Sequence, residues 1–262
     1  MTERPDPGPP ADADDPHLRT YRDESVVAWY ASRDDLKPAE AAIFDRLGEE
    51  LSRAKLLDIG VGGGRTTLHL LPRVREYVGV DYSDDLVAAT AARFPGARIE
   101  FADIRDLAQF ADDEFDVVFF SFNGISSLGH EDRLRGLAEV RRVLRPGGAF
   151  AFSAHNRDHA RLGLLPWQRP KRIGRPMLKK SWEAIRATPA RQRMRRHELA
   201  TEHYALVNDE AHNYELLHYY ISPAAQVTQL HEAGFAEVEM IDMTGRFGTT
   251  GPDDIWMHYL AR

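Results

Sequence analysis

The chain has 262 residues, a net charge of −7, 43% apolar and 29% charged residues, the proportions of a globular protein long enough to bury a full core. Without a single cysteine, disulfides, cysteine-liganded zinc, iron–sulfur clusters and thiol nucleophiles are excluded. No apolar run approaches the ~18 residues of a membrane span, and residues 1–20, rich in Pro, Asp and Ala, lack a signal-peptide core, so a disordered tail on a cytoplasmic protein with no membrane partner is expected.

Asp34 or Asp35 is placed to cap a first helix, in which Ile43, Leu47 and Leu51 recur at i, i+4 and i+8. Residues 54–59 read as a short apolar strand running into glycines, 65–75 as a helix and 76–80 as a second strand. Ser83 is expected to cap the next helix, with Asp84 and Asp85 in its first turn, where the helix dipole favours negative charge. Pro95 and Gly96 end that helix, and residues 98–101 form a third strand. The unbroken apolar run 115–120 (FDVVFF) fits a strand buried on both faces. Leu134, Leu137 and Val140 line the buried side of the following helix. Arg145-Pro146-Gly147-Gly148 stops it before a fifth strand at 149–153.

Strands alternating with helices at this spacing imply right-handed crossovers and a parallel sheet. The expected fold class is therefore α/β, doubly wound and Rossmann-like, with the ligand-binding core over residues 21–155. The rhythm breaks after Ala154. Residues 156–216 are dotted with Pro166, Pro170, Pro176 and Pro189 and are expected to be an inserted helical cover after the fifth strand. Between residues 156 and 200, thirteen Lys or Arg stand against three acidic residues. Such a basic stretch is either a solvated helical surface or a contact for an anionic partner. Ser222-Pro223 restarts the pattern as a cap followed by a first-turn proline. The helix runs to Gly234, and strands at 236–242 and 255–260 return residues 217–262 to a seven-stranded, mostly parallel sheet.

The first strand delivers Asp58-Ile59-Gly60-Val61-Gly62-Gly63-Gly64 into a helix. In a doubly wound sheet that turn lies at the carboxyl ends of the central strands, where ligands bind. Glycines let the backbone turn sharply and bring its N–H groups close to a ligand. Asp81 ends the second strand, where a carboxylate accepts both ribose hydroxyls of an adenosine. A dinucleotide site prefers a third glycine where Arg65 stands. The pattern D-x-G-x-G-x-G instead resembles class I S-adenosylmethionine-dependent methyltransferases. The resemblance continues through Tyr77-Val78-Gly79-Val80-Asp81-Tyr82-Ser83, Phe101-Ala102-Asp103-Ile104, the strand 115–120 with Phe122 and Asn123 beyond it, and Leu144-Arg145-Pro146-Gly147-Gly148. It covers roughly residues 21–156 and the terminal strands.

The resemblance implies S-adenosylmethionine as cofactor. It implies that the loop of Asp58, Gly60, Gly62 and Gly64 cradles the methionine part, that Asp81 and neighbouring Tyr82 meet the ribose, and that Asp103 and the Ile104 N–H read adenine. Phe122 and Asn123 would stand beside the transferring methyl, and Tyr21 and Tyr30 would close over the cofactor.

Methyl transfer from a sulfonium requires alignment, exclusion of water and removal of one proton. Metal-dependent catechol-type enzymes carry a carboxylate after the fourth strand, where this chain has Ser121-Phe122-Asn123. His197-Glu198 opens an H-E-x-x-H pattern that fails at Thr201, so no metal is expected. Nor is Asn123-Gly124-Ile125 the N-P-P-[YF] signature of amide and nucleobase-amine methylation. Among His130, His155, His212 and His218, the expected general bases are His155, just past the fifth strand, and His212, within the cover. The polar run 208–220 is expected to contact the acceptor through Asn208, His212, Tyr214, His218 and Tyr220.

The expected function is methyl transfer to O or N of a small metabolite, including one that is anionic or tethered to an acidic carrier. An RNA methyltransferase is the alternative, with Arg169, Lys171, Arg172, Arg175, Lys179 and Lys180 on phosphates and Trp167 and Trp182 on bases. The whole-chain pI near 5.9 speaks against a dedicated nucleic-acid binder. A cofactor-binding module without turnover is a third reading.

Overall fold

The computed structural model describes residues 24–160, 162, 175–210, 214–251 and 253–262. The expected tail, Tyr21, Trp167, Arg169, Lys171, Arg172 and His212 lie outside the described residues.

Helix α1 (Glu24–Ala31) precedes α2 (Pro38–Leu47). The cap of α2 is Lys37 rather than Asp34 or Asp35: its N–H donates to Glu40 Oε2 at 2.9 Å, and Pro38 takes the first position, where no N–H is needed. Asp35 instead pairs with Arg33 and Lys37, and Asp34 with Arg93. Gly48, at φ +51°, breaks the helix and leaves Leu51 in a separate turn, α3 (Glu49–Arg53). Strand β1 (Lys55–Ile59) then enters the glycine loop. The expected helix 65–75 is shorter: α4 (Thr67–Leu70) passes into a 3-10 turn (Leu71–Arg73) at Pro72. Next come β2 (Glu76–Asp81), α5 (Asp84–Arg93), β3 (Arg98–Phe101), β4 (Phe115–Phe120), α6 (His130–Val143) and β5 (Leu144–Asn156). Ser83 stands at the cap of α5 but makes no side-chain capping bond.

The buried side of α6 is rotated from the expected one. Arg133, Gly136, Leu137, Val140 and Val143 are buried, while Leu134 is 37% exposed. Gly136 is what lets the helix approach the sheet, since a Cβ there would sit 3.2 Å from Ile104.

Helices α7 (Arg175–Arg186) and α8 (Thr188–Arg195) lead into β6 (Leu199–Ala200), β7 (Tyr204–Val207) and β8 (His218–Ile221). Helix α9 (Pro223–Glu232), β9 (Val238–Ile241) and β10 (Trp256–Ala261) complete the chain. Ser222 caps α9 by accepting from the Ala225 N–H, as its sequence foretold. The core sheet has the order β3-β2-β1-β4-β5-β10-β9, parallel from β3 to β5, with β10 antiparallel to both its neighbours. This is the expected Rossmann-like α/β sheet of seven strands. One apolar layer packs α6 and α9 against one face, and another packs α2 against the other.

Strand β5 differs most from its expectation. Leu144 already pairs with Phe115, and Arg145–Gly148 is a bulge within the strand rather than a gap before it. At its other end β5 outruns β4, whose last partner is Phe152, and the extension at His155 and Asn156 pairs with β8. The antiparallel ribbon β8-β7-β6 thereby continues the sheet. The insertion expected to be helical is thus partly a β-ribbon.

Candidate cofactor and acceptor site

The glycine loop is squeezed between α1 and the sheet. Gly62, at φ +55°, turns its N–H onto Asp81 Oδ2 at 2.9 Å. Gly63 is needed for another reason: a Cβ there would lie 2.3 Å from the backbone nitrogen of Ala31. Arg65, standing where a dinucleotide site wants glycine, forks onto Glu40 at 2.6 and 2.7 Å and bonds Ser121 Oγ at 3.0 Å. Both partners of this pair are buried, and it ties α2 to the loop.

Beside the loop opens a cavity of about 460 Å³ at the carboxyl ends of β1, β2 and β4. Tyr30, Gly60, Gly62, Asp81, Tyr82, Asp103, Ile104, Phe122, Asn123, His155 and His218 all line it. Asp81 accepts from Gly62 and, at 3.0 Å, from the Ser83 N–H, and burial pushes its carboxyl up to about 6 against those bonds. Asp103 is clasped by Arg105, whose Nη2 approaches at 2.6 Å while Nη1 reaches Asp132 at 2.9 Å. Asp58 and Gly64 lie behind the loop, outside the cavity lining. Asp58 accepts from Thr66 and Tyr77, and burial lifts its carboxyl to about 7 despite them. Gly64 packs under Phe94.

At the end of β4, Phe122 and Asn123 are consecutive non-glycine residues in the left-handed region, at φ +55° and +59°. Such conformations cost energy and persist where surroundings enforce them. Here the Asn123 N–H donates to Ser153 Oγ at 2.8 Å, and the Phe122 ring meets Trp256 edge-on at 5.2 Å. The Asn123 side chain is only 6% exposed, and neither its Oδ1 nor its Nδ2 has a hydrogen-bond partner among the described residues.

His155 stacks on Tyr220 at 4.7 Å and meets His218 edge-on at 5.5 Å. Burial, reinforced by His218, pushes its imidazole down to about 3, and its buried Nδ1 has no partner among the described residues. His218 Nδ1 lies 3.0 Å from Asp209 Oδ1, while the Tyr220 hydroxyl donates to Asp209 Oδ2 at 2.6 Å. Burial pulls the Asp209 carboxyl upward, but its bonds with His218 and Tyr220 outweigh that and hold it well below the usual carboxylate range.

Of the residues expected on the acceptor, His218 alone lines the cavity among those described. Tyr220 stands behind it. Asn208 Nδ2 donates to the Tyr214 and Leu216 carbonyls at 2.8 and 2.7 Å, and Tyr214, buried at φ +64°, lies beneath the Arg191 guanidinium. These two residues shape the loop leading to His218. His130 bonds Tyr219 instead. Sequence reasoning missed Asp209, Trp256, Arg105 and Asp132. Asp209 alone left a signal: His218 and Tyr220, two apart, share one face of a strand and so can share one carboxylate. Among the described residues no three His, Asp or Glu are grouped to hold a metal ion, and no helix is long and apolar enough to cross a membrane.

Residues 56–148 match the family model described as a methyltransferase domain. The uncharacterized methyltransferase YcgJ of Bacillus subtilis is 30% identical over 139 residues, 52% of this chain and 51% of that protein. A probable S-adenosylmethionine-dependent methyltransferase of Mycolicibacterium smegmatis is 32% identical over 115 residues, 44% and 43% of the two chains. The ubiquinone/menaquinone biosynthesis C-methyltransferase UbiE of Geotalea daltonii is 34% identical over 103 residues, 36% and 42%. The chain thus spans about half, or less, of the length of these curated relatives. Among solved structures, a DhpI-SAM-HEP complex shares the fold at TM-score 0.59 and 17% identity, over 94% of this chain and 96% of the other. An S-adenosylmethionine-dependent methyltransferase from Mesorhizobium loti does so at TM-score 0.55 and 19% identity, over 86% and 97%.

Proposed function

We propose that this chain, which carries a class I S-adenosylmethionine-dependent methyltransferase domain, methylates O or N of a small cytoplasmic metabolite without a metal. The observation that carries the reading is one cavity joining the Asp81 and glycine-loop cradle to the His218–Asp209 pair.

The cavity suits the cofactor. Gly60 and Gly62 leave the wall open, Asp81 offers ribose hydroxyls a carboxylate already oriented by two amides, and Tyr30 hangs over the loop from α1. Asp103 keeps lone pairs beyond those used by Arg105, since a carboxylate has about four acceptor sites. When bound, S-adenosylmethionine supplies a methyl group already activated on a sulfonium.

What remains for the protein is to align the nucleophile and take its proton. A carboxylate only accepts, so Asp209 fixes the proton of His218 on Nδ1 and leaves the lone pair on Nε2. We assign the general base to that nitrogen. As the acceptor's oxygen or nitrogen acts as nucleophile, the proton it carries passes to His218 Nε2, and the imidazolium is held by Asp209. His155 is a poor base, because an imidazole that burial holds near 3 has little affinity for the acceptor's proton. Its place is a neutral wall of the acceptor site.

The test uses methyl-labelled S-adenosylmethionine and a host extract separated into small molecules, RNA and protein. Label in small molecules supports the proposal. Once the acceptor is in hand, His218→Asn and Asp209→Asn should each lower turnover about a hundredfold, the usual weight of acid–base catalysis, with S-adenosylhomocysteine affinity unchanged. A second reading, RNA methylation, draws on Trp182, 59% exposed among the basic residues of α7 and α8. Label in RNA would replace the first reading with it, and label nowhere would indicate a binding module.

A further inference from the structure

We infer that the acceptor carries, beside its reacting atom, a flat, uncharged group presenting a hydrogen-bond donor and acceptor side by side, of carboxamide or lactam type, and that Asn123 selects it. This rests on the acceptor site proposed above. Buried polar side chains in folded proteins are almost always hydrogen-bonded, so one that is not points to a missing partner. The Asn123 amide is 6% exposed, lines the cavity and has neither Oδ1 nor Nδ2 satisfied. Its backbone is held at φ +59° with its N–H bonded to Ser153 Oγ, and burial keeps bulk water from the amide. A second polar atom, His155 Nδ1, stands buried and unpartnered in the lining of the same cavity.

An amide side chain carries its donor and acceptor adjacent, and a second amide edge satisfies both at once. A carboxylate satisfies only Nδ2 and turns its own lone pairs onto Oδ1. Electrostatics point the same way. Arg105, the one Lys or Arg among the described lining residues, is already committed to Asp103 and Asp132. Asp209 lies behind His218, and His155 resists protonation. A phosphate or carboxylate on the acceptor would find no uncommitted Lys or Arg among the described lining residues, so the anionic acceptor allowed by the sequence does not suit the part that enters beside Asn123. The rings of Phe122 and Trp256, and His155 stacked on Tyr220, give the space flat apolar walls.

The experiment compares two isosteric probes on protein saturated with S-adenosylhomocysteine: neutral 2-hydroxybenzamide and anionic 2-hydroxybenzoate. Calorimetry should show the amide binding about tenfold tighter or more, as sites built for a polar partner discriminate. Asn123→Asp, which tolerates the left-handed backbone, should abolish most of that preference when both probes are titrated at saturating S-adenosylhomocysteine. Equal affinities in the parent, tighter benzoate, binding of neither probe, or a preference untouched by Asn123→Asp would each overturn the inference. Failure of the parent to bind S-adenosylhomocysteine would instead refute the cofactor reading beneath it. If Asn123→Asp does not fold, the comparison of the two probes on the parent protein still decides.

Discussion

Asp81→Asn separates the cofactor reading from a purely structural role for this carboxylate. The side chain is 4% exposed, and its two oxygens each hold a loop amide, Gly62 at 2.9 Å and Ser83 at 3.0 Å. Asparagine keeps the shape but turns an NH₂ toward one of those donors. One buried N–H is stranded, which should cost about 1–3 kcal/mol of folding stability. Separately, ribose hydroxyls lose an ionised acceptor, and hydrogen bonds to charged groups are worth about 1.5–3 kcal/mol. S-adenosylhomocysteine should therefore bind roughly ten- to a hundredfold more weakly by calorimetry at pH 7.5. A pH series adds a second constraint. Below about 6 the parent's carboxyl takes up a proton, so its affinity should fall toward that of the variant, which has nothing to titrate there. Loss of fold through this group is not the cause. Its folded-state value lies above the ordinary ~3.9, so the folded chain holds the proton more tightly, and this contribution to stability rises as pH falls from about 6 to about 4. Affinity within twofold of the parent at pH 7.5, or identical pH profiles, would refute the ribose assignment.

Glu40→Gln removes one side of the buried fork on Arg65 and should cost about 3–5 kcal/mol in denaturant unfolding; a loss below about 1 kcal/mol would show that Asp35 and Ser121 suffice for the guanidinium. Gly63→Ala places a methyl 2.3 Å from the Ala31 nitrogen, so α1 must lift and S-adenosylhomocysteine affinity should drop with a stability loss of about 1–3 kcal/mol. Unchanged affinity and melting would mean α1 is no part of the cofactor site. Asn208→Ala strands the Tyr214 and Leu216 carbonyls and should lower stability by about 1–3 kcal/mol while leaving cofactor affinity alone. A fall in cofactor affinity would contradict the placement of this loop on the acceptor side.

Sequence by itself determined the seven-strand core, the glycine loop between β1 and α4, Asp81 at the end of β2 and the cap at Ser222. These are local signals: apolar runs, glycines where the chain must turn tightly, and a short side chain before a first-turn proline. It also brought forward Phe122, Asn123, His155 and His218 as candidates, and all four line the cavity. Tertiary structure alone decided what those residues touch. Arg65 looked like a defect in a glycine motif until folding brought Glu40 to it, and Asp58 lay in the motif yet faces away from the cavity. The cover became a β-ribbon only because β5 outruns β4 and leaves unpaired backbone for β8. The proposed base is His218 rather than His155 for a reason no periodicity carries. Burial strips the proton from one imidazole, while a carboxylate nine residues from the other in sequence is folded to within 3.0 Å of it.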